Sequence, residues 1–151
     1  MMMNATKRYR LLVGVSTLII IFSATAKLRA NDPKDILVIA NKKVPMDSVS
    51  LEELKILFLK QRKSIGGQKI VPIHSPDGTG IRPQFNDKVL GMLVSDESSY
   101  WKEERIRRGV APPIELVKTL KAVFYIKGSI SYIYRSEYKK GVAKILLVLP
   151  R

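Results

Sequence analysis

No cysteine occurs among the 151 residues. That excludes disulfides, a thiolate metal site and a lipid-modified cysteine at a mature N-terminus, and it is compatible with an oxidising compartment. Histidine occurs once, at His74, which leaves no partner for a two-histidine metal site. Also missing are a Gly-x-Ser-x-Gly elbow, a His-Glu-x-x-His helix and a Walker loop. No catalytic constellation emerges, so the chain reads as a non-enzyme, and no cofactor is implied. There is no internal repeat, no low-complexity segment and no linker that would divide the chain in two.

Acidic residues are absent from the first 30 positions; all 13 lie beyond them. Basic residues are plentiful, and the formal net charge is +14. Lys7, Arg8, Arg10, Lys27 and Arg29 precede Asn31, so a chain beginning there keeps 22 of the 27 basic residues and a net charge of +9. Such a surface attracts polyanions, anionic lipids or small anions over a Debye length of about 8 Å. Hydrophobic residues make up 46% and charged ones 26%, the balance of an ordinary globular domain.

Lys7-Arg8-Tyr9-Arg10 is followed by an uncharged run over residues 11–26 that contains Leu18-Ile19-Ile20-Ile21-Phe22 and ends in Ser23-Ala24-Thr25-Ala26. A basic head, an apolar middle and an Ala-x-Ala tail predict a secretory signal peptide over residues 1–30, cleaved after Ala26 or Ala30. The alternative is an uncleaved inner-membrane anchor. A 16-residue helix, however, spans only about 24 Å of a hydrocarbon core roughly 30 Å thick. The expectation is therefore a periplasmic domain over residues 31–151, with no stable membrane span after cleavage.

Within that domain, Asp35-Ile36-Leu37-Val38-Ile39-Ala40-Asn41, an apolar run closed by a turn residue, predicts a strand buried on both faces, as in a parallel sheet. Ser50-Leu51-Glu52-Glu53 is a capping box, and Leu51, Leu54, Leu57 and Phe58 carry a helix on to about Gln61. After Gly66-Gly67 a short strand runs over residues 69–74, with Pro72 pointing to an edge or a strand end. Pro83 suits the first turn of a helix that ends near Gly91, and Ser95-Asp96-Glu97 opens another that ends at Gly109. In that second helix, Glu103 with Arg107 and Glu104 with Arg108 have the i,i+4 spacing of ion pairs. Pro112-Pro113 predicts a fourth helix through Leu116, Val117, Leu120, Val123 and Phe124, stopped by Gly128. Residues 129–134 and 142–149 read as strands.

Several pieces recur in a familiar order: Ile36 to Asn41, Val44-Pro45, Ile56-Leu57-Phe58-Leu59, Ile70-Val71-Pro72, Phe85, Val89-Leu90-Gly91-Met92, Tyr100-Trp101, Arg108-Gly109, Pro112-Pro113 and Gly128-Ser129-Ile130-Ser131-Tyr132. Together they resemble the short members of the phosphate ABC transporter substrate-binding protein family, over nearly all of residues 31–151. The resemblance implies an α/β fold: one periplasmic-binding-protein-like lobe with a mixed, mostly parallel sheet flanked by about four helices. It implies inorganic phosphate or a similar small anion as ligand and an ABC transporter or envelope protein as partner. In the family an arginine and a Ser-Gly-Thr loop entering a helix supply much of the anion wall. Here Thr79 and Gly80 match the serine and glycine, Ile81 replaces the threonine, and His74 stands near the arginine position. Lys60 replaces a glycine that follows the Phe-Leu pair, and Ser131 replaces one before Tyr132. The chain is too short for two full lobes.

The candidate anion site is thus Ser75, Gly78, Thr79, Gly80 and Arg82, with His74 as an accessory. Amides freed at a loop–helix junction, and a guanidinium fork beside them, favour negative oxygens. Its alternative is an Asp-Gly turn feeding a helix, with Arg82 solvated. At the level of the whole protein the alternative is a ligand-free envelope accessory that kept the lobe and lost the anion site. Charge alone would also suit nucleic acid, against which export argues. The Arg105, Arg107 and Arg108 cluster reads as a solvated helix end, and Tyr132 and Trp101 as packing residues.

Overall fold

The computed structural model describes residues 32–151, so the expected signal segment lies outside the described residues. Strand β1, Ile36–Ala40, is buried along its whole length. Its alternate side chains divide between two cores: Ile36, Val38 and Ala40 join a large cluster with Leu54, Phe58 and Phe85, while Leu37 and Ile39 pack with Val123 and Ile133. The continuous apolar run therefore reflects burial on both faces, as expected. Its neighbours are antiparallel rather than parallel: Ile36 faces Tyr134 and Leu149, and Ala40 faces Ile130 and Lys144. Burial on two faces is dictated by what covers the sheet, and strand direction leaves no mark on it.

Helix α1, Leu51–Phe58, opens with the predicted capping box: the Glu53 amide donates to Ser50 Oγ, and the Ser50 amide donates to the Glu53 carboxylate, both at 3.2 Å. It stops short of Gln61 because Lys60 takes the left-handed conformation, with φ 52°. Strands β2 (Ser64–Ile65) and β3 (Gln68–Lys69) form a hairpin whose two-residue turn, Gly66-Gly67, has positive φ at both positions, the geometry that matches strand twist. Strand β4, Val71–His74, follows directly.

Helix α2, Ile81–Phe85, runs into a π-helical turn, Asn86–Leu90, that ends at Gly91. Helix α3 spans Val94–Arg108 and closes at Gly109. Glu104, itself buried, pairs with both Arg107 and Arg108, and no ion pair joins Glu103 to Arg107 among the described residues. Strand β5, Ile114–Glu115, occupies the place where a helix was expected from Pro112-Pro113. A proline disfavours the helical conformation in the residue before it, and here the sheet edge offers an extended chain its partners. The Leu116 amide donates to the His74 carbonyl at 3.1 Å. Helix α4 is accordingly shorter, Thr119–Tyr125. Strands β6 (Ser129–Tyr134) and β7 (Lys144–Leu149) complete the chain.

The main sheet has the order β5-β4-β6-β1-β7. β4 runs parallel to β5 and β6; the pairs on either side of β1 are antiparallel, so the sheet is mixed. β5 meets β4 only at Ile73 and His74, which leaves Pro72, with no amide to donate, on an open stretch of edge. Gly128 feeds β6 at a point where no side chain fits: a Cβ there would lie 2.2 Å from the Lys69 carbonyl oxygen. Residues Pro33–Arg151 form one compact unit, and no helix among the described residues is long and apolar enough to cross a membrane.

Candidate functional site

The carboxyl end of β4 carries His74 and Ser75 into a buried polar cluster assembled from five elements. His74 lies between Tyr132 of β6 and Glu97 of α3, with its Nδ1 2.9 Å from the Tyr132 hydroxyl and its Nε2 3.1 Å from Glu97 Oε1. The second contact is close but off the line of a hydrogen bond. A carboxylate facing Nε2 favours the proton there, which leaves Nδ1 to accept from the tyrosine. Phe85 stacks on Tyr132 at 3.7 Å between ring centres, and Phe58 packs against His74. The apolar rings around the histidine explain its state: burial, with the charge of Arg82 adding to it, lowers its proton affinity despite the opposing pull of Glu97.

Glu97 is the centre of the cluster. Its Oε2 accepts from Arg82 Nε at 3.3 Å, Arg82 Nη2 at 3.0 Å and Asn86 Nδ2 at 2.6 Å, while Oε1 accepts from Trp101 Nε1 at 3.1 Å. Burial alone would push this carboxyl up. The close approach of His74, the hydrogen bond from Asn86 and the charge of Arg82 overcome that and hold it well below the usual carboxylate range. Arg82 is buried too, at 5% exposure. Its Nη1 donates to the Ser75 carbonyl at 2.7 Å and to Glu115 Oε1 at 3.2 Å. Burial works against the Arg82 charge, and the carboxylates of Glu97 and Glu115 more than restore it. Burial likewise pushes the Tyr132 hydroxyl up, so it stays protonated.

The sequence-predicted residues separate into two groups. His74, Ser75 and Arg82 converge in this cluster, where the guanidinium faces Glu97, Glu115 and a carbonyl. Gly78, Thr79 and Gly80 form the turn that leads into α2. Its hydrogen bonds are largely internal: the Gly78 amide donates to Asp77 Oδ1 at 2.9 Å, and both the Thr79 amide and hydroxyl donate to the Pro76 carbonyl. The Gly80 carbonyl accepts from Gln84. Ser75 and Thr79 also line a pocket of about 730 Å³, shared with Lys118, Lys121 and Lys139 and with the exposed rings of Phe124 and Tyr125. This pocket opens beside the carboxyl ends of the parallel pair β4 and β6, the place where open α/β sheets take ligands.

Glu97, Asn86, Trp101, Tyr132 and Glu115 are absent from the sequence-based site. Glu97 reads there as a first-turn acid that complements the helix dipole. The available signal was Trp101 four residues later, one helical turn away and able to donate to a carboxylate on the same face.

No protein-family model matches the chain, and no curated protein does. Solved structures do. An ABC-type phosphate transport receptor from Vibrio cholerae superposes with a TM-score of 0.58 at 19% identity, over 76% of this chain and 46% of that one. A putative phosphate ABC transporter substrate-binding protein from Clostridium perfringens, solved with bound phosphate, gives 0.56 at 18% identity, with the same coverage of both chains. By these descriptions both are substrate receptors rather than enzymes, and the chain spans about half their length. Its fold is that of one lobe of a phosphate-transport receptor, as the sequence resemblance implies.

Proposed function

We propose that the protein is an exported, periplasmic receptor-type lobe that acts as an accessory or interaction protein of the envelope, with the anion place of the lobe taken by its own Glu97 carboxylate. The observation that carries this reading is the buried Arg82–Glu97 pair. A guanidinium able to grip phosphate oxygens through its fork instead directs Nε and Nη2 at one carboxylate and Nη1 at Ser75 and Glu115. Dislodging Glu97 would leave the buried guanidinium with only the half-exposed Glu115 and the Ser75 carbonyl, at a large cost in uncompensated buried charge.

A second reading keeps the ligand: phosphate or a similar small anion, linked to ABC transport, held by Ser75, Gly78, Thr79 and Gly80 with Arg82 and His74 behind them. The lysine-lined pocket beside that loop favours it. The two part in a melting experiment at constant ionic strength with phosphate, sulfate or chloride. A ligand at one hundred times its dissociation constant adds about 2.7 kcal/mol of stability. The accessory reading expects the three salts to act alike. A phosphate-specific rise that disappears in Thr79→Val and Lys118→Gln would overturn it in favour of the second.

A further inference from the structure

The amino end of β4 lies in a setting unlike its carboxyl end. There Lys60, Arg62, Lys63, Lys69 and Arg108 line a hollow of about 400 Å³ that also touches Ile70 and Val71. No aspartate or glutamate is among the described residues that line it. Arg108 is paired with Glu104, and Arg62 approaches Glu53 only to 4.0 Å. No ion pair among the described residues engages Lys60, Lys63 or Lys69. Lys127 joins Lys69 in an adjoining hollow beside Gly66 and Gly67.

The lysines are held there by the backbone. Lys63 and Lys69 flank the β2–β3 hairpin, whose base is tied by the Ile70 amide donating to the Lys63 carbonyl at 2.9 Å. Lys60 is the one described non-glycine residue with a left-handed backbone, at φ 52°. Its ammonium donates to the carbonyls of Ala111 at 3.0 Å and Pro112 at 2.8 Å, which leaves one of its three N–H groups for an outside acceptor. Burial, then the nearby charges of Lys63 and Lys69, lower its proton affinity, as expected where like charges gather without a counter-charge.

We propose that this hollow binds clustered phosphates, either a free oligophosphate chain or the phosphate headgroups of an anionic lipid surface. Three ammonium groups around one concavity are point charges with rotatable donors, which suit a ligand with many negative oxygens and no fixed planar geometry. The site is separate from the Ser75–Gly80 loop, so it holds under either reading of that loop.

The test uses the full chain, with every variant carrying the same N-terminal segment. Tripolyphosphate binding is measured by calorimetry at low salt, and binding to vesicles of phosphatidylglycerol or phosphatidylcholine by co-sedimentation. The expected result is saturable binding that weakens as salt rises and falls by about tenfold or more in the double variant Lys63→Gln, Lys69→Gln. Lys60→Gly should weaken binding while leaving the melting temperature equal or higher, which separates loss of a ligand contact from loss of fold. Tripolyphosphate binding supports the free chain, and preference for phosphatidylglycerol vesicles alone supports the headgroup source. Binding of neither probe overturns the proposal. So does binding unaffected by the lysine variants, or lost equally in Lys118→Gln, Lys121→Gln.

Discussion

The two ends of β4 treat positive charge in opposite ways. At the carboxyl end Arg82 is buried and has two carboxylates, with Glu97 gathering donors from three side chains, Arg82, Asn86 and Trp101. At the amino end three lysines share a hollow that no carboxylate among the described residues lines. Burial makes the difference. A guanidinium out of water requires a partner, whereas an ammonium with access to solvent persists without one. The arginine that resembles a ligand group is therefore a structural tie, and the lysines of the hollow, which look like ordinary surface, are among the cations without a carboxylate partner in the described ion pairs.

The comparison breaks most sharply if the buried pair is cut. Arg82→Ala should destabilise the fold by about 3–5 kcal/mol in urea denaturation, since it leaves Glu97 buried and charged. A loss below about 1 kcal/mol would mean that Glu97 finds water or other partners, and the tie would be no tie. Gly128→Ala tests the scaffold of the other end, because its Cβ would drive into the Lys69 carbonyl next to the hairpin. The expected loss is about 2–4 kcal/mol, again by urea denaturation.

Proton linkage sharpens the contrast further. His74 binds its proton less readily folded than unfolded, so stability should fall as pH drops below the ordinary histidine value of 6.5. Glu97 has a depressed folded value, so its contribution is present above the ordinary 4.5 and is lost as pH falls below it. A stability profile with two descending steps is expected, and His74→Asn should remove the upper one. The lysine hollow lies at the other end of β4 from both groups, so Lys63→Gln should leave the profile unchanged. The smallest expected effect is Lys60→Gly, a gain of up to about 1 kcal/mol from relief of the left-handed backbone. A loss there would mean that the lysine stabilises the fold through its carbonyl contacts instead.

Most of the architecture was legible because it rests on local chemistry. The capping box at Ser50, the ends at Gly91 and Gly109, and the apolar run of β1 each state their structure within a few residues. Pro112-Pro113 misled because a proline at a helix start and a proline in an extended edge look alike until the neighbouring strand is known. The site was half legible. His74, Ser75 and Arg82 do meet, but their shared partner lies fifteen residues beyond Arg82 on another helix, beyond the reach of any local pattern.

From the order of its residues alone, most of this protein's strands and helices, its excess of positive charge and its likeness to a receptor lobe could be read, because each depends on short-range pattern or on simple counting. Which cations are neutralised and which stay open was decided only by the tertiary structure. Pairing follows burial, and burial arises where distant segments pack: α3 brings Glu97 onto Arg82, while the hairpin holds Lys63 and Lys69 out in solvent.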